Sequence, residues 1–119
     1  MSTIDFLFNK IYTAEGLIRT VNIQTFLGNK VALVNGFPHS PTFENIIRLV
    51  TLSEDCATRV LVYPFDYSEG EPVPGFALTL AALYPVDGIA LINESDWDEV
   101  INQLSPKCKM IDFESDGQD

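Results

Sequence analysis

Residues 85–104 have the sequence PVDGIALINESDWDEVINQL, which predicts a buried strand followed at once by an amphipathic helix. The apolar run at 89–92 follows a glycine and is typical of a strand. Ser95 is a favourable N-cap residue, and Asp98 follows it at the spacing of a capping box. Apolar residues then recur at helical spacing, so we predict a helix at 96–104.

The remainder of the chain contains further periodic segments. Apolar residues at helical spacing predict more helices, at 3–14, 41–52 and 76–84. Alternating or β-branched residues predict more strands, at 20–26, 30–34, 58–63 and 109–113. The first two of these strands are joined by Gly28-Asn29, which is typical of a hairpin turn. The segment 76–84 is apolar all round and is also compatible with a strand.

These elements predict one domain, residues 1–113, of the α+β or α/β class. We expect a mixed sheet of about five strands with three to four packed helices. The later β-α-β-α-β portion should contain right-handed parallel crossovers. Residues 114–119 are expected to form a frayed acidic tail. A chain of 119 residues is long enough to bury a core without metals or disulfides.

The charge of the chain is strongly negative and unevenly distributed. Seventeen acidic residues against seven basic ones give a formal net charge of −10. Residues 60–106 contain no lysine or arginine, whereas residues 1–59 hold acids and bases in equal number. Such a field attracts cationic partners and repels a phosphate backbone, so nucleic-acid binding is excluded. Acidity that serves only solubility is the alternative explanation.

The chain carries no sequence signature of a nucleotide-binding or catalytic site. It lacks the glycine-rich motifs that bring backbone amides to phosphate. His39 is the single histidine, and Ser40 beside it suits a helix cap rather than a nucleophile. Cys56 and Cys108 stand far apart without metal-ligand spacing. We therefore predict no cofactor, no metal ion and no catalytic residues, and the role of His39 stays open.

Neither a membrane span nor an export signal is indicated. No apolar run reaches the roughly 18 residues that a membrane-spanning helix needs. The N-terminal sequence MSTID includes an acid and lacks the basic segment of a signal peptide. We therefore expect a cytoplasmic protein.

Two acidic segments are the best candidates for binding a partner. The first is the proline-rich loop at 64–75, with the candidate residues Phe65, Asp66, Tyr67, Glu69 and Glu71. The second surrounds the start of the helix at 96–104, with the candidate residues Glu94, Asp96, Asp98 and Glu99. Spaced carboxylates supply charge, and the two rings of the loop supply apolar anchors.

These features predict an acidic binding protein that neutralises a basic protein partner, as immunity or antitoxin-type inhibitors of nuclease toxins do. The active site of such a toxin is positive because it must hold phosphates. Three alternatives remain open: a nucleic-acid-mimicking inhibitor of a defence enzyme, a small-ligand or enzymatic domain with a pocket near His39 and the 64–75 loop, and an adaptor that pairs through apolar surface.

Overall fold

A five-stranded sheet forms the centre of the protein. The computed structural model describes residues 7–66 and 73–116. In chain order its strands are β1 (Ile11–Tyr12), β2 (Val31–Asn35), β3 (Thr58–Pro64), β4 (Gly88–Ile92) and β5 (Lys109–Asp112). In space their order is β1-β4-β3-β2-β5, and every pairing among these described strands is parallel.

Helices pack on both faces of the sheet. They are α1 (Ala14–Phe26), α2 (Phe43–Leu52), α3 (Gly75–Ala81) and α4 (Glu94–Leu104). Apolar residues of α1 and α4 pack on one face, and those of α2 and α3 on the other. The first pair connects strands in one direction across the sheet and the second pair in the opposite direction, as right-handed crossovers require. The predicted single domain of the α+β or α/β class, with about five strands and packed helices, is confirmed.

The strands are apolar along most of their length because helices cover both faces of the sheet. β4 is buried at every residue, and β2 at all but Asn35. Neighbouring residues face opposite layers: Leu33 packs with α1 and α4, and Val34 with α2 and α3. Such two-sided burial is characteristic of parallel sheets, whose crossover helices lie on the faces.

The predicted hairpin is wrong, because its first strand, 20–26, belongs to α1. Thr13 caps this helix by accepting a hydrogen bond from the backbone N–H of Gly16 at 3.1 Å. Leu17 and Val21, one helical turn apart, are completely buried. Their burial against the sheet outweighs the strand propensity of the alternating residues, which is a context-dependent preference.

The Gly28-Asn29 pair ends α1 instead of turning a hairpin. Gly28 has a φ of +80°, a left-handed conformation that favours glycine. Its N–H donates to the carbonyl of Thr25 at 3.0 Å, and the N–H of Asn29 donates to the carbonyl of Gln24 at 2.8 Å. These are the hydrogen bonds of a Schellman motif. Without the hairpin, the described sheet is parallel rather than mixed.

The predicted first helix, 3–14, ends too late, because Ile11–Tyr12 forms β1 and pairs with β4. Lys10 holds the start of this strand: its Nζ donates to the carbonyls of Ala81 at 2.9 Å and Val86 at 2.8 Å. The predicted residues 3–6 lie outside the described part of the chain. The other predicted helices and the strands corresponding to β2, β3, β4 and β5 are confirmed within a few residues.

The cap of α4 also differs from the prediction. The helix begins at Glu94 with Asn93 as its N-cap residue, so Ser95 lies within the first turn. The backbone N–H of Glu94 instead donates a hydrogen bond to the carboxylate of Asp66, at 3.3 Å. Asp66 lies just after the end of β3. A side chain distant in sequence therefore supplies the cap that local spacing suggested for Ser95.

The chain beyond β5 enters a short helix, Phe113–Asp116, where the sequence predicts the start of a frayed tail. Phe113 is buried, and its ring meets that of Phe37 edge-on with centroids 4.9 Å apart. This contact anchors the segment to the layer of α2 and α3. Residues 117–119 lie outside the described part of the chain.

Gly88, the first residue of β4, lies against the ring of Tyr12. A Cβ at this position would overlap Cε2 of that ring, whereas a Cβ at Gly75 would have nothing within 4 Å. We expect Gly88→Ala to lower the free energy of unfolding by about 1–3 kcal/mol, the usual cost of overpacking. Urea denaturation measures the change, with Gly75→Ala as the matched control. Equal stabilities of the two variants would contradict the close packing of β1 on β4.

Candidate functional site

The parallel sheet brings the carboxyl ends of its strands, and the first turns of the helices that follow, to one edge of the protein. This edge, here termed the carboxyl edge, comprises residues 13–18, 35–47, 64–66, 74–79, 93–98 and 112–114, which include the first five residues of each crossover helix. It contains no lysine or arginine, and its acidic residues are Glu15, Glu44, Asp66, Glu94, Asp96, Asp98, Asp112 and Glu114. Arg19, Arg48 and Glu99 lie at the border of this edge, each as the sixth residue of its helix. The described part of this edge is therefore uniformly acidic.

The opposite edge, where the strands begin, holds most of the basic residues. They are Lys10, Lys30, Arg59, Lys107 and Lys109. Asp55 forms ion pairs with Lys30 and Lys109, at N–O distances of 2.8 and 3.0 Å. The guanidinium of Arg59 donates to the buried hydroxyl of Ser53. These bases are engaged at the far edge and do not neutralise the carboxyl edge.

Helix dipoles explain why acids accumulate at the carboxyl edge. Each crossover helix begins there, and its N-terminus carries a partial positive charge. First-turn acids occur in three of the described helices, as Glu15 in α1, Glu44 in α2, and Glu94 and Asp96 in α4. Each such placement typically stabilises a helix by about 0.3–1 kcal/mol. Strand direction therefore gathers into one surface the acids that individual helices favour.

A polar cleft of about 310 Å³ lies between α4 and the ends of β2 and β3. Its lining residues are Asn35, Pro64, Glu94, Trp97 and Asp98, and we refer to it as the Trp97 cleft. The cleft adjoins a point where two neighbouring strands are followed by helices on opposite faces of the sheet. The chain leaves β3 toward one face and leaves β4 toward the other face. Open parallel sheets commonly bind ligands at such a switch point. The cleft combines a partly buried aromatic ring with two exposed carboxylates.

A second cleft, of about 340 Å³ and lined by both carboxylates and apolar side chains, lies between the starts of α1 and α4. Its lining residues are Thr13, Ala14, Glu15, Leu91, Asn93 and Asp96, and we refer to it as the Glu15 cleft. An apolar groove of about 190 Å³ adjoins it, lined by Phe8, Ile11, Tyr12, Thr13, Val73 and Leu91. Thr13 and Leu91 line both depressions, so the acidic and apolar surfaces are continuous.

The partner-binding residues that the sequence predicts fall into three groups. Those of the second segment, Glu94, Asp96, Asp98 and Glu99, are all exposed on α4, the first three at the carboxyl edge and Glu99 at its border. Asp66 is exposed at the same edge and caps α4, whereas Phe65 is partly buried, with its ring 6.4 Å from that of Phe76. Tyr67, Glu69 and Glu71 lie outside the described residues.

Sequence reasoning missed four acids of this edge, Glu15, Glu44, Asp112 and Glu114. A Cβ at Gly36, just after β2, would lie 3.2 Å from Cγ of Glu114 and 3.7 Å from Oδ1 of Asp112. Parallel pairing of β5 with β2 causes this proximity. Conversely, Asp87 belongs to the acidic second half of the chain but lies at the far edge, where it accepts a hydrogen bond from the backbone N–H of Arg59 at 2.8 Å.

His39 belongs to an aromatic cluster on the α2 and α3 side of the sheet. Its ring stacks on Phe76 with centroids 3.8 Å apart and meets Tyr63 edge-on at 5.2 Å. The hydroxyl of Tyr63 donates to the carbonyl of Phe37 at 2.9 Å, and burial raises the pKa of this phenol. The contacts described for His39 are ring contacts, which differ from the hydroxyl and carboxylate partners of a catalytic triad.

The two cysteines lie in the layers on opposite faces of the sheet. Burial raises the pKa of both thiols, that of Cys108 to about 11. A thiol with a raised pKa is a poor nucleophile and metal ligand at neutral pH. Within residues 7–66 and 73–116, no group of three or more His, Cys, Asp or Glu residues is arranged to hold a metal ion.

No protein family model matches the sequence, and a search of curated proteins found no significant match. None of the helices in the described part of the chain is long and apolar enough to cross a membrane. A fold of this class hosts many functions, so the function depends on the residues of the site rather than on the fold.

Asp55 provides a pH-dependent contribution to stability at the far edge. Hydrogen bonds from Lys30 and Lys109 hold the pKa of its carboxyl well below its usual value of 3.8. The pKa of Asp55 is lower in the folded than in the unfolded protein. The stabilisation is therefore fully present above about pH 4 and is lost as the pH falls from there toward the folded-state pKa.

We therefore expect Asp55→Asn to lower the urea midpoint slightly at neutral pH, since the side chain is 45% exposed and the ion pairs are screened. The difference from the unmodified protein should shrink as the pH falls below about 4. A difference that stays constant through strong acid would contradict the ion-pair explanation.

Proposed function

We propose that this protein binds a basic partner protein through its carboxyl edge and neutralises it, as an immunity or antitoxin-type inhibitor neutralises a nuclease toxin. The observation that supports this function is the separation of charge between the two edges of the sheet. The acidic side chains of the carboxyl edge have no lysine or arginine among them in the described ranges. The cytoplasmic location expected from the sequence belongs to the same proposal.

Electrostatic attraction gives such a surface its specificity. A nuclease active site is positively charged because it must hold phosphates, so a row of carboxylates competes for the same field. Complementary charge also raises the association rate, which suits an inhibitor that must act before its target does. A uniformly acidic edge repels nucleic acid and acidic proteins, and this excludes the wrong partners.

The Trp97 cleft and α4 are the centre of the proposed interface. Asp96, Asp98 and Glu99 are exposed on the helix, and Trp97 beside them is partly buried. Tryptophan is enriched at interface hot spots because it combines a large apolar surface with a hydrogen-bond donor. Asp66 has a different role, since it caps α4 and its replacement would disturb the helix itself.

The main alternative is a site for a small cationic molecule. The Trp97 cleft adjoins the switch point of the sheet and pairs an aromatic ring with carboxylates, which is an arrangement that attracts organic cations. A nucleic-acid-mimicking inhibitor would use the same acidic edge against a defence enzyme, so that alternative differs only in the identity of the basic partner.

Carbodiimide cross-linking, which joins carboxylates directly to lysines, tests the proposed interface in extracts of the native cells. We expect intermolecular cross-links at Glu94, Asp96 or Asp98, because these carboxylates meet the partner's lysines. Mass spectrometry of the linked peptides identifies both the carboxylate and the partner. Cross-links confined to Glu54 and Asp87 at the far edge would contradict the proposal, and their complete absence would favour the small-molecule alternative.

Charge reversal measures the contribution of the edge to binding of the partner so identified. We expect Asp96→Lys and Asp98→Lys each to weaken binding at least roughly tenfold, mainly through the association rate, since like charges then face each other. Glu54→Lys is the matched control, because it makes the same change of net charge away from this edge. Surface plasmon resonance at several salt concentrations should also show binding weaken as salt rises. Equal losses in all three variants would contradict the localised surface.

A further inference from the structure

The apolar groove next to β1 has more apolar walls than either the Trp97 cleft or the Glu15 cleft. Its lining consists mainly of apolar side chains, Phe8, Ile11, Tyr12, Val73 and Leu91, with Thr13 at the border of the Glu15 cleft. Phe8 is 43% exposed. Filling such a concave apolar surface with an apolar group removes it from water and favours binding.

The size of the groove matches one side chain. Its volume is about 190 Å³, and a cavity of roughly 150 Å³ is enough to hold a benzene ring. Sites for complete small-molecule ligands are usually larger, at roughly 300–1,000 Å³. The groove therefore suits a single aromatic or large aliphatic side chain that belongs to a larger partner.

The groove is held in place by the sheet. Tyr12 pairs with Ala90 of β4, and its ring lies so close to Gly88 that a Cβ there would overlap it. Lys10 fixes the start of the same strand through its two carbonyl contacts. A wall that is already ordered reduces the entropic cost of binding.

The charge next to the groove selects the kind of partner. The adjoining cleft carries the carboxylates of Glu15 and Asp96, and no lysine or arginine is among the described residues that line either depression. A second copy of this chain has a net charge of −10 and would bring acids against acids. A segment that combines an apolar residue with basic residues is complementary to both surfaces.

We propose that the apolar groove binds one aromatic or large aliphatic side chain of the basic partner, and that a lysine or arginine of the same segment contacts Glu15 and Asp96. This inference rests on the proposed function and adds to it an apolar anchor beside the charged surface. The groove then supplies affinity at short range, while the carboxylates steer the partner from a distance.

Short fluorescein-labelled peptides test the groove without the natural partner. The probe carries one phenylalanine followed within a few residues by two lysines. One comparison peptide has glycine in place of phenylalanine, and another has glutamine in place of both lysines. We expect each comparison peptide to bind the full chain at least roughly tenfold more weakly in anisotropy titrations.

Replacing an exposed ring separates the apolar contact from the charge. We expect Phe8→Ser to weaken binding of the phenylalanine peptide by roughly fivefold or more, because it removes one wall of the groove. Binding of the glycine peptide should stay unchanged. Phe26→Ser is the matched control, since Phe26 is 89% exposed at the end of α1 and does not line the groove. Melting temperatures verify that both variants are folded.

The outcomes distinguish this inference from the function on which it rests. Equal binding of the phenylalanine and glycine peptides, or an equal effect of Phe8→Ser and Phe26→Ser, overturns the proposed role of the groove. Neither result affects the proposed role of the carboxyl edge. If binding depends on the phenylalanine but is equally strong when glutamine replaces both lysines, the assigned role of Glu15 and Asp96 is overturned. Loss of the charge-reversal effect in the partner assay overturns the proposed function, and the peptide assay does not depend on that partner.

Discussion

Parallel alignment of the strands is the constraint on which the rest of this structure depends. β2, β3 and β4 form the middle of the sheet and are buried on both faces. A parallel connection requires a crossover, so a helix follows each of the first four strands and begins at the edge where that strand ends. Because the strands all run in the same direction, every crossover helix has its positive end at the same edge of the sheet.

The distribution of charge follows from this arrangement. Acids at helix N-termini stabilise their helices, although carboxylates gathered at one edge also repel one another. Five of the seven bases lie at the opposite edge, where Asp55 and Ser53 engage three of them. A cationic partner would relieve this repulsion instead, which is why the proposed function and the stability of the free protein concern the same side chains.

Local sequence patterns predicted most elements but failed where two structures share one pattern. β4 and α4 could be predicted from the sequence because an apolar run and a helical stripe are visible within a few residues. α1 could not be predicted, since alternating residues before Gly28-Asn29 fit a hairpin as well as a helix that ends in a Schellman motif. Burial of Leu17 and Val21 against distant strands decides between them, and no local window contains that information.

The sequence by itself determined the excess of acids, the absence of lysine and arginine from residues 60–106, and the acidic start of the helix that became α4. Composition and periodicity do not depend on the path of the chain. Only the tertiary structure decided which acids meet: it brings Glu15, Asp112 and Glu114 to the carboxyl edge and leaves Asp87 at the other. The physical reason is that strand order is set by pairing and burial between segments far apart in sequence.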